Sequence, residues 1–266
     1  MNPMPEVQFT GSLSVLAPIA VAAARAVVSL PAAAARENNT FRKMTLVQHS
    51  PLFANVLPSE GREIVSAARE CQFSRRDRIF LAGDPVRQVT LLTSGSAKIV
   101  QFGQSGTEVI LGLKGPGDVV GALGVCPQDH HCSTAQALAA SHALIWDTGV
   151  FETFSQRFPQ LRRNITHILC QQLRELEERY REISTEKVSV RLSHQLVRVL
   201  NQLGRRVNGG LEIRLSREEL AQLTGTTLFT VSRLLSDWNQ RGIVSTRREA
   251  VSVHNFQALA ELAEEE

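Results

Sequence analysis

The chain has 266 residues, of which 43% are hydrophobic and 21% charged, and its formal net charge is +3. This is the composition of an ordinary soluble globular protein of one or two domains; it excludes a low-complexity chain, and so small a net charge decides little about partners. The four cysteines, Cys71, Cys126, Cys132 and Cys170, lack regular spacing, which argues against a disulfide framework and for reduced thiols in the cytoplasm.

Residues 1–44 are set apart by the Ala-rich stretch GSLSVLAPIAVAAARAVVSLPAAAAR. Arg25 interrupts its apolar run, which is then too short to span a membrane. The stretch superficially resembles a secretion signal, but the preceding MNPMPEVQFTGS carries no positive charge, which argues against export. Met44 offers an alternative start, with MTLVQHSPLFANVLPSEG as a compact beginning. Residues 1–44 are therefore expected to be a weakly ordered extension, and no other segment is apolar enough to cross a membrane.

From Cys71 to Trp146, short apolar runs alternate with glycine-bearing turns. Val89, Leu91 and Leu92 lead into Ser94-Gly95; Ile99 and Phe102 lead into Gly103; Val109 to Leu113 leads into Gly115-Pro116-Gly117. This spacing predicts an antiparallel, jelly-roll-like β-roll over residues 45–158, closed by a short helix near Val150–Phe158. Pro159 then stands where a helix begins. Beyond it Leu169, Leu173, Leu176, Tyr180 and Ile183 recur at spacings of 4, 3, 4 and 3, while Phe154, Phe158, Leu161, Ile165 and Ile168 show a similar stripe in another phase. A long helix over residues 159–185 that packs on the roll at one end and pairs in parallel with a second copy at the other satisfies both stripes. The competing reading packs the whole helix within its own domain.

Residues 186–266 read as a small helical domain. VSVRLSHQLVRVLNQLG is an amphipathic helix, Asn208-Gly209 signals a hairpin, and Ser216 with Glu219 forms a capping box. REELAQLT stops at Gly225, Thr226 or Thr227 caps a helix running to Gly242, and IVSTRREAVSVHN forms a second hairpin. Two short helices about a glycine turn, followed by a hairpin, describe a winged helix-turn-helix. From Lys187 to Ala260 there are 11 Lys/Arg against 5 Asp/Glu, the footprint of a nucleic-acid-binding module, although a merely solvated basic face explains the charge alone equally well. The fold class is α+β.

LSREELAQLTGTTLFTVSRLLSDWNQRGIVS resembles the DNA-binding half of the Crp/Fnr family of bacterial transcription regulators. FLAGDPVRQVTLLTSGSAKIV and GPGDVVGALGV are similar to the family's sensory roll, and Leu161 to Ile183 to its dimerising helix. The likeness covers nearly everything after Met44. It implies a dimer on double-stranded DNA with a two-fold symmetric site, and contact with RNA polymerase. Leu234, Leu235, Trp238 and Val231 are spaced as a core face, which turns Thr226, Thr227, Thr230, Ser232 and Arg233 toward a groove or its phosphates. Better-known relatives carry a Glu before the Thr-Val/Ile pair, often preceded by Arg or Val. Here Leu228 and Phe229 occupy those places, either packed within the domain or touching thymine methyls. Arg247 and Arg248 in the wing suit phosphates.

In cyclic-nucleotide-binding members of the family a Glu holds the ribose and an Arg-Ser or Arg-Thr pair the phosphate. The matching stretch, GDVVGALGVCPQDHHCSTAQA, has Ala122 and Cys132 at those places, so the effector pocket would comprise Gly121, Ala122, Leu123, Cys132, Ser133 and Thr134 without the charged fork. This disfavours cyclic AMP and leaves the cofactor open. Cys126, His130, His131 and Cys132 offer donors for zinc or haem iron, though without the short Cys-x2-Cys spacing. No cysteine precedes Cys71, which disfavours an iron–sulfur cluster. The reading is a homodimeric, sequence-specific DNA-binding regulator in the cytoplasm. Its rival, a cyclic-nucleotide-type sensory subunit without a DNA role, leaves Ser216 to Gly242 unexplained. An enzyme lacks a nucleophile–base pair or a phosphate-binding Gly-Lys motif.

Overall fold

A computed structural model of the chain describes residues 32–123, 130–207 and 210–264. It begins with α1 (Ala32–Val47), a 3-10 turn at Pro51–Phe53 and α2 (Pro58–Ser66). The expected extension therefore ends early, and Met44 lies inside a helix instead of opening the fold. The cause is local: alanines, the best helix formers, lead into a turn whose Lys43 is buried and donates to the Ala68 carbonyl at 2.5 Å. Val47 enters the core beside Leu52 and Ile64.

Eight strands follow: β1 (Arg69–Phe73), β2 (Arg78–Phe80), β3 (Gln88–Ser94), β4 (Ala97–Phe102), β5 (Glu108–Lys114), β6 (Val119–Val120), β7 (Thr134–Ala137) and β8 (Ser141–Asp147). They form two four-stranded antiparallel sheets, ordered β1-β8-β3-β6 and β2-β7-β4-β5. Leu92, Val120, Ala143 and Ile145 of the first sheet and Ala97 and Ala135 of the second bury into one apolar cluster, which holds the roll together. The β3–β4 turn requires Gly95: its φ is +83°, and a Cβ there would meet Ser141 Oγ at 2.2 Å. At one end of the roll, buried Trp146 donates its Nε1–H to the Ile64 carbonyl at 2.7 Å between Phe53 and Phe151.

Asp147 caps α3 (Thr148–Arg157), and Pro159 sits in the first turn of α4 (Pro159–Thr185). Leu161 and Ile165 of α4 are buried on the roll with Phe154 and Phe158, and Ile168 packs against them. Asn164 donates to the carbonyls of Leu52 and Ala54, both at 2.8 Å, which pins this end of the helix. Leu169, Leu173, Leu176, Tyr180 and Ile183 then stand 43–75% exposed along one stripe. The two phases in the sequence thus separate into one buried stripe and one open to solvent.

The rest comprises α5 (Val188–Leu203), β9 (Arg205–Val207), β10 (Gly210–Ile213), α6 (Arg217–Thr224), α7 (Leu228–Gln240), β11 (Val244–Arg247), β12 (Ala250–Val253) and α8 (Phe256–Glu261). The strands form one sheet, β11-β12-β10-β9. The turn expected at Asn208-Gly209 lies outside the described residues; the strands on either side pair antiparallel as a hairpin would. Helix α8 was not expected. Asn255 caps it, and it buries Leu259.

The two halves share a core. Val100, Ile110 and Leu113 of the roll belong to the same buried cluster as Leu196, Leu200, Leu215 and Trp238. Gln202 reinforces the contact, donating to the Leu113 carbonyl at 3.1 Å and to Asp118 at 2.9 Å. At the wing tip Glu249 pairs with Arg75 of the roll at 2.9 Å.

Candidate nucleic-acid interface

The helix-turn-helix is built from local chemistry. Ser216 Oγ accepts the Glu219 amide at 3.1 Å while Glu219 accepts the Ser216 amide at 2.8 Å, so two orphan donors at the start of α6 are satisfied. Gly225 ends that helix in the left-handed region, at φ +63°. Thr227 caps α7, its hydroxyl accepting from the Thr230 amide at 3.2 Å. Val231, Leu235 and Trp238 are buried and Leu234 packs against them. Full burial of an apolar side chain contributes about 1.5–3 kcal/mol, so this face fixes the rotation of α7.

The opposite face is therefore outward. Phe229 is 77% exposed and Leu228 51%, which rules out the reading that they pack within the domain. Arg233 is exposed and Ser232 half-buried beside them. Phe229, Ser232, Arg233, Ser236, Asp237 and Gln240 line one shallow depression. Thr227 is exposed and Thr226 and Thr230 are half-buried, with the Thr227 and Thr230 hydroxyls 3.0 Å apart. In the wing, Arg248 is exposed at the turn, and Arg247 lies 3.8 Å from Glu212. Arg217 was not singled out from the sequence. It donates to Thr246 at 3.0 Å and so bridges the first turn of α6 to the wing.

The expected effector residues lie in the roll without forming an open charged cradle. Gly121 has φ +81°, and a Cβ there would fall 2.6 Å from the Phe80 ring. Against that ring His131 stacks at 3.7 Å and 10°. Leu123 is buried in the roll core, and Ala122 and Ser133 are half-buried. Thr134 is buried, its hydroxyl accepting the Ala82 amide at 3.1 Å. Cys132 is exposed, its Sγ 3.9 Å from the His130 carbonyl.

The soft-donor reading divides accordingly. Cys126 lies outside the described residues, and among the described residues His130, His131 and Cys132 are not drawn into one donor set. Among the described residues, the group whose ligand atoms lie within 4.8 Å of one another is instead Glu182, Glu186 and His194, where α4 meets α5. Arg198 pairs with Glu182, and Arg181 with Glu186 at 3.0 Å. His194 Nδ1 lies 3.1 Å from Glu186. Both carboxylates are thus already paired with arginines where α4 meets α5.

Burial holds the His131 imidazole below its ordinary pKa, partly offset by Asp84. The folded state therefore favours neutral His131. Its contribution to stability is intact above the unfolded-state pKa and is lost as pH falls through that value toward the lower folded one. Melting curves between about pH 7.5 and about pH 5.5 should fall more steeply for the wild type than for His131→Phe, which keeps a ring on Phe80 without the charge. Parallel slopes would show that the imidazole's protonation does not act on the roll.

Comparison with known proteins agrees with this geometry. The Crp-like helix-turn-helix domain matches residues 190–262, and the cyclic nucleotide-binding domain matches residues 70–158. The CRP-like cAMP-activated global transcriptional regulator of Mycobacterium tuberculosis is 24% identical over 220 residues, covering 82% of this chain and 98% of the relative. The fumarate and nitrate reduction regulatory protein of Escherichia coli is 26% identical over 199 residues, covering 73% of this chain and 78% of the relative. Among solved structures, FixK2 from Bradyrhizobium japonicum shares the fold with a TM-score of 0.66 at 22% identity, over 73% of this chain and 96% of that one.

Proposed function

Because the chain belongs to the Crp/Fnr family of transcription regulators, we propose that it works as a homodimer reading a two-fold symmetric site in double-stranded DNA. The observation that carries this reading is the free face of α7. A helix whose inner face is fixed by Val231, Leu235 and Trp238 presents two large apolar side chains and an arginine to solvent beside a basic wing. Arg233 can take guanine O6 and N7 bidentately, while Leu228 and Phe229 suit the methyl of thymine. Thr226, Thr227, Thr230 and Ser232 offer hydroxyls for phosphates or base edges, and Arg217 joins Arg247 and Arg248 as a phosphate partner.

The exposed stripe on α4 supports the dimer, since apolar side chains aligned at coiled-coil spacing call for a partner surface. No helix of the described residues is long and apolar enough to cross a membrane; the likeness to bacterial DNA-binding regulators is what supports action on DNA in the cytoplasm. The roll receives a signal other than cyclic AMP. Ala122 and Cys132 supply neither ribose acceptor nor phosphate fork, and the Phe80–His131 stack lies over Gly121.

Selection of binding sites from random DNA tests the whole reading. The expected motif is an inverted repeat with half-sites about one helical turn apart and at least one T in each half. Enrichment of no motif, or of one without two-fold symmetry, would overturn it.

A further inference from the structure

The tip of the wing carries an acid where a surface meant for phosphates should have none. Arg247 and Arg248 are followed by Glu249, all three exposed. The acid is answered from the other half of the chain. Arg75, in the turn between β1 and β2, donates to Glu249 at 2.9 Å, and each side chain of the pair is 49% exposed. That hydrogen bond, followed by the charges of Arg75, Arg76 and Arg248, holds the Glu249 carboxyl below its ordinary pKa against the opposing effect of desolvation. The roll thus places two arginines at the wing tip, and with Arg248 three positive charges gather about one carboxylate.

The turn that presents them is held firmly. Asp77 accepts the Ser74 amide at 2.7 Å, the Arg76 amide donates to the Ala137 carbonyl at 2.8 Å, and the Arg76 carbonyl accepts from Gln136 at 3.0 Å. Arg76 stands at φ +73°, a left-handed conformation that few residues besides Gly, Asn and Asp adopt. Its backbone is fixed while its side chain is exposed, and among the described residues Arg76 and Arg248 form no ion pair. From Arg75 to Arg78 and from Arg247 to Glu249 the two turns carry five arginines and two acids, a surplus of +3 equal to that of the whole chain.

Solvated guanidinium groups in such surplus fit the phosphates of a DNA backbone, whereas Glu249 alone would repel them. We infer that the β1–β2 turn of the sensory roll is a second DNA-backbone contact, in which Arg76 binds a phosphate beside the wing and Arg75 cancels the acid at the wing tip. This rests on the reading that α7 and the wing meet DNA. A phosphate contact carries no sequence information, so the roll adds to affinity without adding to selectivity.

The test uses the full-length protein on its selected operator and on an unrelated duplex. Arg76→Asn removes the charge and suits the left-handed backbone, so the melting temperature should not fall. It should weaken binding to both duplexes by a similar factor, roughly threefold to thirtyfold for the dimer, and lower the salt slope by about 1 for each arginine lost. In ethylation interference one phosphate in each half-site should cease to matter, and it should differ from the one lost in Arg248→Ala. Arg76→Lys keeps the charge and should keep the slope. Arg75→Gln should weaken binding, because Glu249 then faces the backbone uncompensated, and Glu249→Gln should strengthen it. An Arg76→Asn protein with the wild-type slope and interference pattern would overturn the contact and leave the DNA reading intact; that reading fails separately, if the wild type selects no two-fold motif. Tighter binding by Arg75→Gln or Arg76→Asn would also overturn it, since the roll would then be restraining the wing.

Discussion

Placing Asp at both Leu173 and Leu176 should give a monomer that binds its operator roughly 10²- to 10⁴-fold more weakly than the wild type. That range is what is lost when two linked half-site contacts become independent. The physical case rests on exposure. Both leucines are more than half exposed in the single chain, so charging them disturbs little packing within one protomer. The melting curve of the monomer should therefore stay close to that expected for an intact fold. In a paired seam the same charges would face each other and lose their water, a much larger penalty. Sedimentation equilibrium at micromolar concentration reads the first effect and fluorescence anisotropy on operator DNA the second. A wild type that sediments as a monomer, or a double variant that stays dimeric, would remove the seam from the account.

Arg233→Ala should cost about 1–3 kcal/mol of discrimination at one base pair in each half-site while other positions keep their preferences. The wing should behave differently. Loss of Arg248 should weaken all sequences alike and reduce the salt slope by about 1, the mark of a single phosphate contact. Arg247 should give a smaller change, because Glu212 lies 3.8 Å away and already offsets part of its charge. Site selection run with each variant, together with affinities at several salt concentrations, separates these outcomes. If Arg233→Ala selects the unaltered motif, Arg233 holds a phosphate, and sequence is read by Thr227, Leu228, Phe229 and Thr230.

What could be read from the sequence was what short-range chemistry determines. Pro159 and the leucine repeat mark a helix that the structure runs from Pro159 to Thr185. Ser216, Glu219 and Gly225 mark α6 because a capping box and a left-handed glycine are written within ten residues. The fate of Phe229 could not be read, since a phenylalanine beside a core face serves equally as core or as contact. Only the rotation imposed by Trp238 decides it. Helix α1 was missed at Met44 because an alanine run carries helix propensity without the periodicity that shows what it packs on. The stacking of His131 on Phe80 joins positions 51 apart, and the Arg179–Leu111 contact joins positions 68 apart. Neither leaves a local pattern.

The core shared by Ile110, Leu113, Leu200 and Leu215 bears on how far these halves are interchangeable parts. A linker near Glu186 suggests a seam at which one sensor could be exchanged for another. Yet a grafted sensor would bring its own β5 against Leu200 and Leu215, with side chains shaped to a different reader. Close-packed interiors feel a change of one methylene. Innovation in this architecture is thus constrained as a matched pair: the sensor is free to vary in its pocket, while the strand that touches the reader must vary together with it.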